Sequence, residues 1–196
     1  MRFLDAEFVK EFIRTANDGW ELGWHERNGG NLSYRVKEEE IEQVKENFEA
    51  KEWRPIGTSV PDLAGEYFLV TGSGKFFRNV KSKPEDSICM AELDDRGENY
   101  RIVWGLVNGG REIAVATSEL MKQYDVAIWA HHGMFAAGED FDLTFGLMHT
   151  VEKSAEILVK TLSIRQDKLQ TITPQGFRDL AAEFKVELPE KFLYEK

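Results

Sequence analysis

The imidazole and thiol groups of this chain are few: His25, His131, His132, His149 and the single cysteine Cys89. Two of the histidines arrive together in Val126-Ala127-Ile128-Trp129-Ala130-His131-His132-Gly133, a short apolar run that delivers a histidine pair to a glycine turn. A histidine delivered in this way is a candidate metal ligand, and catalytic zinc takes three protein ligands and keeps one position open. Neighbouring residues on a strand point to opposite faces, so at most one of His131 and His132 faces a common site. His149, beside Met148 and Thr150 in a helical stretch, reads as a surface or half-buried histidine, and so does His25. Cys89 lies between Ile88 and Met90 in a predicted strand, where a buried, inert thiol is expected. No set of three ligands follows from these residues.

Two glycine turns offer a different chemistry. Asn28-Gly29-Gly30-Asn31 combines glycines, which let the backbone approach a ligand closely, with two side-chain amides. Thr71-Gly72-Ser73-Gly74-Lys75 leaves an apolar strand directly and can form an anion-binding nest with the Ser73 hydroxyl as an added donor. The second turn lacks the Walker spacing and the Ser or Thr after the lysine. Each is also an ordinary tight turn, and together they suggest one shared anion site. Thr117-Ser118-Glu119 pairs hydroxyls with a carboxylate, but it falls inside a predicted helix and reads as helix surface with Leu120 or Met121 inward.

Several elements must position these residues. Phe8, Val9, Phe12, Ile13 and Ala16 repeat at helical spacing within Ala6 to Leu22, and Gly23 is placed to end that helix. Leu32 to Val36 reads as a strand, and Glu38 to Lys51, dense in charge, as a solvated helix in an exposed insertion. Tyr67 to Val70 is a short buried strand. Ile88 to Leu93 and Tyr100 to Leu106 flank Asp94-Asp95-Arg96-Gly97-Glu98-Asn99 as an antiparallel hairpin. Asn108-Gly109-Gly110 is a turn signal. Arg111 to Tyr124 reads as a helix, Val126 to Ala130 as a fully buried strand, and Asp142 to Leu162 as a long helix. Thr173 caps a last helix with Pro174 at its first position, and the chain from Val186 onward is expected to be irregular. The pattern describes one mixed α/β domain over residues 1–196.

Composition sets the outer limits. A chain of 196 residues, 42% hydrophobic and 31% charged, is long enough to bury a substantial core. Its net charge of −10 lacks the basic footprint of a nucleic-acid binder. Backbone donors can still hold a small anion against that global field. No apolar run reaches membrane-spanning length. Met1 to Asp5 leads straight into the first helix with no signal-peptide core, and a lone cysteine suits a reducing compartment, so a cytoplasmic location without membrane partners is expected.

The longer stretches carry a resemblance. Gly23-Trp24-His25-Glu26-Arg27-Asn28-Gly29-Gly30-Asn31-Leu32 and Val70-Thr71-Gly72-Ser73-Gly74-Lys75-Phe76-Phe77-Arg78-Asn79-Val80 are similar to blocks of the rhamnulose-1-phosphate aldolases, within the class II aldolase/adducin family. Trp104-Gly105-Leu106, His132-Gly133, Thr144-Phe145-Gly146-Leu147 and Glu152-Lys153-Ser154-Ala155 follow in that family's order. The resemblance implies an α/β/α sandwich on a mainly antiparallel central sheet, assembled as a homotetramer with sites at subunit interfaces. It implies zinc-dependent cleavage of L-rhamnulose 1-phosphate to dihydroxyacetone phosphate and L-lactaldehyde in rhamnose catabolism. Zinc there stabilises the enediolate as a Lewis acid. By position, Asn28, Asn31, Gly72 and Ser73 match phosphate-binding turns, and His132 matches a zinc-binding histidine with His131 as its non-ligand neighbour.

The chain also departs from the family pattern. In the family, Trp-Gly-Leu leads to a Thr-Ser-Glu segment with the acid/base glutamate and then to a His-x-His strand with the other two zinc ligands. Here Trp104 to Gly110 passes directly to Arg111-Glu112-Ile113-Ala114, which resembles the helix before the last ligand. The distance from Thr117-Ser118-Glu119 to His132 fits that later helix. No His-x-His occurs in the chain. An internal deletion near 107–111 that removes central strands is therefore expected, with no catalytic residue assigned, little zinc affinity and negligible aldolase activity. The alternative expectation is a non-catalytic sugar-phosphate-binding or structural remnant module.

Overall fold

The computed structural model describes residues 1–105, 112–129, 132–164 and 170–193. They form two compact units, Met1–Gly146 and Leu147–Lys196.

In the first unit, α1 (Glu7–Glu21) opens the architecture. Phe8, Val9, Phe12 and Ala16 are spaced at three and four residues, so they fall on one face, and all are buried. Leu22 closes the helix and Gly23 follows at φ 79°, a left-handed conformation that costs glycine nothing. β1 (Ser33–Val36), β2 (Arg54–Pro55), β3 (Tyr67–Thr71), β4 (Ile88–Leu93) and β5 (Asn99–Gly105) build an antiparallel sheet in the order β1-β3-β4-β5-β2.

β3 and β4 are interior strands. Leu69 faces Met90 across their register, and both are fully buried. Ile88, Cys89 and Met90 are buried in succession, which requires cover on both faces of β4. Phe12, Leu69, Ile88, Met90 and Val103 form the centre of the core together with α1. Phe12 meets Phe141 edge to face at 6.0 Å, and Tyr34 stacks on Phe141 at 4.8 Å. The expected hairpin is present: Asp94 accepts from the Glu98 amide at 2.8 Å and from the Asn99 side-chain amide at 2.6 Å, which closes the turn.

The charged stretch after β1 differs from the solvated helix expected over 38–51. Only α2 (Glu38–Val44) is α-helical, followed by a single 3-10 turn, Lys45–Asn47. Ile41 and Val44 are buried in the main core, so the segment is packed by its apolar residues while its glutamates stay in water. Glu40 fixes its start by accepting from the Lys37 amide at 2.9 Å and from the Tyr34 hydroxyl at 2.9 Å.

The later elements of this unit are α3 (Glu112–Met121) and the hairpin of β6 (Val126–Trp129) and β7 (Gly133–Ala136). Of the side chains described on α3, Thr117 is buried, Leu120 is exposed and Glu119 pairs with Lys122 at 2.8 Å. Of the two residues expected inward, Leu120 is exposed and Met121 is half-buried. β6 is also not the fully buried strand expected. Among the described residues it pairs only with β7, and although Ala127 is buried, Ile128 is 74% exposed. A strand is buried on both faces only where other layers cover it, and among the described residues none covers Ile128.

α4 (Phe141–Ile164) starts on Asp140, whose carboxylate accepts from the Leu143 amide at 2.7 Å, and it continues across the boundary into the second unit. In that unit α5 (Pro174–Phe184) begins as expected, with the Thr173 hydroxyl accepting from the Gly176 amide at 3.1 Å and Pro174 next. Beyond Val186 the described chain is irregular apart from the 3-10 turn Glu190–Phe192.

Candidate anion site and metal ligands

The two glycine turns leave the sheet side by side. β1 pairs with β3 from Ser33–Val70 to Val36–Tyr67, and the pairing extends one step further. The Thr71 amide donates to the Leu32 carbonyl at 3.0 Å, and the Leu32 amide donates to the Thr71 hydroxyl at 2.9 Å. Asn31 and Gly72 are therefore the first residues past the same sheet edge. Asn28, Asn31 and Ser73 are exposed there, while Gly72 is buried. The structure sets Asn31 beside Gly72, with Asn28 and Ser73 one to three residues further along the same two turns.

Their backbone donors are not equivalent. The Gly72 amide is used internally, donating to the Ser87 carbonyl at 2.7 Å, and the Gly29 amide donates to the Glu26 carbonyl at 2.9 Å. Gly72 thus shapes the turn, and the exposed donor groups are the side chains of Asn28, Asn31 and Ser73. Arg27 holds φ 52° and Gly30 φ 86°, so the first turn bends through the left-handed region twice. Arg27, Lys75 and Arg78 supply positive charge along these segments.

His25 belongs to this neighbourhood, which its sequence context does not reveal. Its ring stacks on Phe77 with centroids 3.9 Å apart, and a Cβ at Gly30 would lie 2.1 Å from its Nδ1. The ring is half-buried, and burial holds its pKa below the ordinary value while Glu26 pulls the other way. The pertinent signal in the sequence is Gly30. A glycine beside a site suggests space for a ligand, but here a side chain of the same chain fills that space.

His132 is placed differently from a strand residue. Trp129 pairs with Gly133, so His132 lies in the hairpin turn between them, where its amide donates to the Trp129 carbonyl at 3.0 Å. Its ring is exposed and tilted against the Trp129 ring at 5.2 Å. The strand argument about opposite faces therefore does not apply to His132, and His131 lies outside the described residues, as does Asn108-Gly109-Gly110. His149 is on α4 in the second unit. Cys89 is fully buried, and desolvation pushes its thiol up to about 12, so it is neither a thiolate ligand nor a nucleophile.

Among the described residues no three His, Cys, Asp or Glu side chains converge to hold a metal. No helix among them is long and apolar enough to cross a membrane.

Comparison with known proteins adds the lineage. Residues 99–159 match the family model described as the Class II Aldolase and Adducin N-terminal domain. The chain is 32% identical to the rhamnulose-1-phosphate aldolase of Mannheimia succiniciproducens over 262 aligned residues, covering 93% of this chain and 96% of that protein. It is 32% identical to the rhamnulose-1-phosphate aldolase of Klebsiella pneumoniae over 263 aligned residues, covering 94% and 95%. A solved structure of a sugar-phosphate aldolase from Thermotoga maritima matches the fold with a TM-score of 0.68, 19% identity, and coverage of 83% of this chain and 97% of that one.

Proposed function

Since the chain belongs to the class II aldolase/adducin family, on its rhamnulose-1-phosphate aldolase branch, we propose that it binds ketose phosphates without cleaving them. The substrate class is L-rhamnulose 1-phosphate and its product dihydroxyacetone phosphate, held by the phosphate through Asn28, Asn31 and Ser73 on a turn shaped by Gly72. The observation that carries this proposal is the reciprocal Leu32–Thr71 hydrogen bonding, which holds both turns at one sheet edge.

Cleavage in this family needs zinc as a Lewis acid, and three imidazoles to hold it. His132 is the one described histidine that family position favours as a ligand. A single exposed imidazole binds zinc too weakly to supply that chemistry.

Two observations support an internal deletion as the origin of the incomplete centre. Of 262 aligned residues, 93% of this 196-residue chain accounts for about 182, which leaves about 80 positions of the relative with no counterpart here. Ile128 stands exposed on a strand whose sequence is that of an interior one. Apolar surface of this kind favours self-association, so we place the chain as a homo-oligomer, and its lone, free Cys89 suits a reducing cytoplasm.

Zinc content and turnover test the proposal together. The purified chain should carry well under one equivalent of zinc by elemental analysis. It should release no dihydroxyacetone phosphate from L-rhamnulose 1-phosphate in an assay coupled to NADH oxidation. Calorimetry should still detect dihydroxyacetone phosphate binding, weakened at least tenfold in Asn31→Ala. Stoichiometric zinc with turnover would overturn the non-catalytic assignment, and absence of binding would remove the sugar-phosphate role.

A further inference from the structure

His25 joins three segments that build the candidate anion site. On one edge of its ring, α1 approaches at Gly19, where a Cβ would come within 2.9 Å of Nε2. On the other edge lies Gly30 of the first turn, where a Cβ would overlap Nδ1 at 2.1 Å and Cε1 at 2.7 Å. One face stacks on Phe77, a buried residue of the 3-10 turn Phe77–Asn79 that follows the second glycine turn. The ring is therefore fixed in place by contacts to all three.

Its Nδ1 is buried and has no hydrogen-bond partner among the described residues. A neutral imidazole carries one N–H, so an unpaired, enclosed Nδ1 favours the tautomer with the proton on Nε2. Protonating Nδ1 places a positive charge under the Gly30 backbone with no acceptor to receive its hydrogen. Burial opposes this charge and Glu26 favours it. The charged groups within a few residues of its contact points are Asp18 and Glu21 near Gly19 on α1, Arg27 on its own segment, and Lys75 and Arg78 around Phe77; Glu7, Lys10, Glu11 and Arg14 lie further along α1. Glu21 is engaged by the Asn17 side chain at 2.7 Å. Gly30 itself is exposed, so one layer of backbone separates Nδ1 from the open side of the turn. An anion held on that side brings negative charge close to the ring through a poorly solvated path, where Coulomb attraction is strong.

We propose that His25 is a proton-linked positioning residue of the anion site: it is neutral while the turns are empty and takes up one solvent proton at Nδ1 when a phosphate- or sulfate-class anion occupies them. Anion affinity then rises as pH falls through the His25 titration. The residue acts through Gly30 and does not touch the ligand. This rests on the assignment of the two turns as an anion site, and the experiment separates the failures of the two.

Sulfate is the probe, because its charge is constant between pH 5 and pH 8. Binding to the full chain is measured by calorimetry across that range, and the histidine ring nitrogens are followed by NMR with and without saturating sulfate. Sulfate should bind severalfold more tightly at pH 5.5 than at pH 8, and should raise the His25 midpoint by about one unit, a linkage whose limit well below the free midpoint is about tenfold. His25→Gln should bind sulfate with a flat pH profile, and Asn31→Ala should weaken binding at every pH. If sulfate binds and Asn31→Ala weakens it while the His25 midpoint in the unsubstituted chain stays fixed, the site stands and the proton linkage is overturned. A pH slope that persists in His25→Gln overturns it as well. No sulfate binding at any pH overturns the anion site and this inference with it.

Discussion

Gly30→Ala puts the packing around His25 to a quantitative test. The added methyl would sit 2.1 Å from Nδ1, far inside van der Waals contact, on a residue held at φ 86°. The left-handed backbone alone costs an L-residue about 1 kcal/mol. Relieving the overlap requires the imidazole to leave its stack on Phe77, an aromatic contact worth about 0.5–1.5 kcal/mol. The expected total is about 2 kcal/mol. Gly23→Ala is the control, because Gly23 has φ 79° and nothing within 4 Å of the added Cβ. It isolates the backbone cost of about 1 kcal/mol. Urea unfolding followed by circular dichroism reads the difference. With a slope of about 2 kcal/mol/M, Gly30→Ala should lower the midpoint by about 1 M and Gly23→Ala by about half as much. In a double-mutant cycle, removing the ring with His25→Ala should make the subsequent Gly30→Ala change no costlier than Gly23→Ala. Equal losses for the two glycines, with no coupling to His25, would refute the claim that Gly30 makes room for the imidazole.

Other consequences can be checked separately. Ile128→Thr should change stability by no more than about 0.5 kcal/mol and should reduce self-association in sedimentation; a loss above about 2 kcal/mol would mean that the strand is covered. Asp94 is held at about 2, below its ordinary 3.8, chiefly by the Asn99 side-chain amide and then by the Glu98 and Arg96 backbone amides. Its folded pKa is depressed, so its contribution is present above about pH 4 and lost as pH falls towards 2. The stability gap between the unsubstituted chain and Asp94→Asn, from urea unfolding, should be constant above pH 4 and close below it.

The legible part of the fold is the part governed by local rules. The periodicity of α1, the Asp94–Asn99 hairpin and the Thr173-Pro174 cap each declare themselves within a few residues, and each is present. The two anion turns were visible as polar glycine turns, but their adjacency depends on the β1–β3 register, which no single segment carries. α2 was misjudged because charge density conceals Ile41 and Val44, whose burial depends on what packs above them. β6 failed for the opposite reason. Its apolar run describes an interior strand, and burial depends on neighbouring layers that the run itself cannot specify. His25 was illegible because its surroundings come from residues 19, 30 and 77, distributed over three elements.

The two halves of the family's chemistry stand on unequal scaffolds in this chain. The anion turns extend from β1 and β3, and β3 is an interior strand with β1 and β4 on its flanks and Leu69 wholly buried. That pairing fixes Leu32 against Thr71 and so fixes the turns beyond them. His132 instead rides on a hairpin that, among the described residues, consists of β6 and β7 alone, with Ile128 exposed. A ligand needs neighbours that lock its rotamer before it can help to build a metal site. Adding a lone second histidine near His132 would therefore not create a zinc site, because the described surroundings leave the His132 ring exposed and would not lock two imidazoles. The two glycine turns are held more firmly, since the strands that position them are paired within the described sheet.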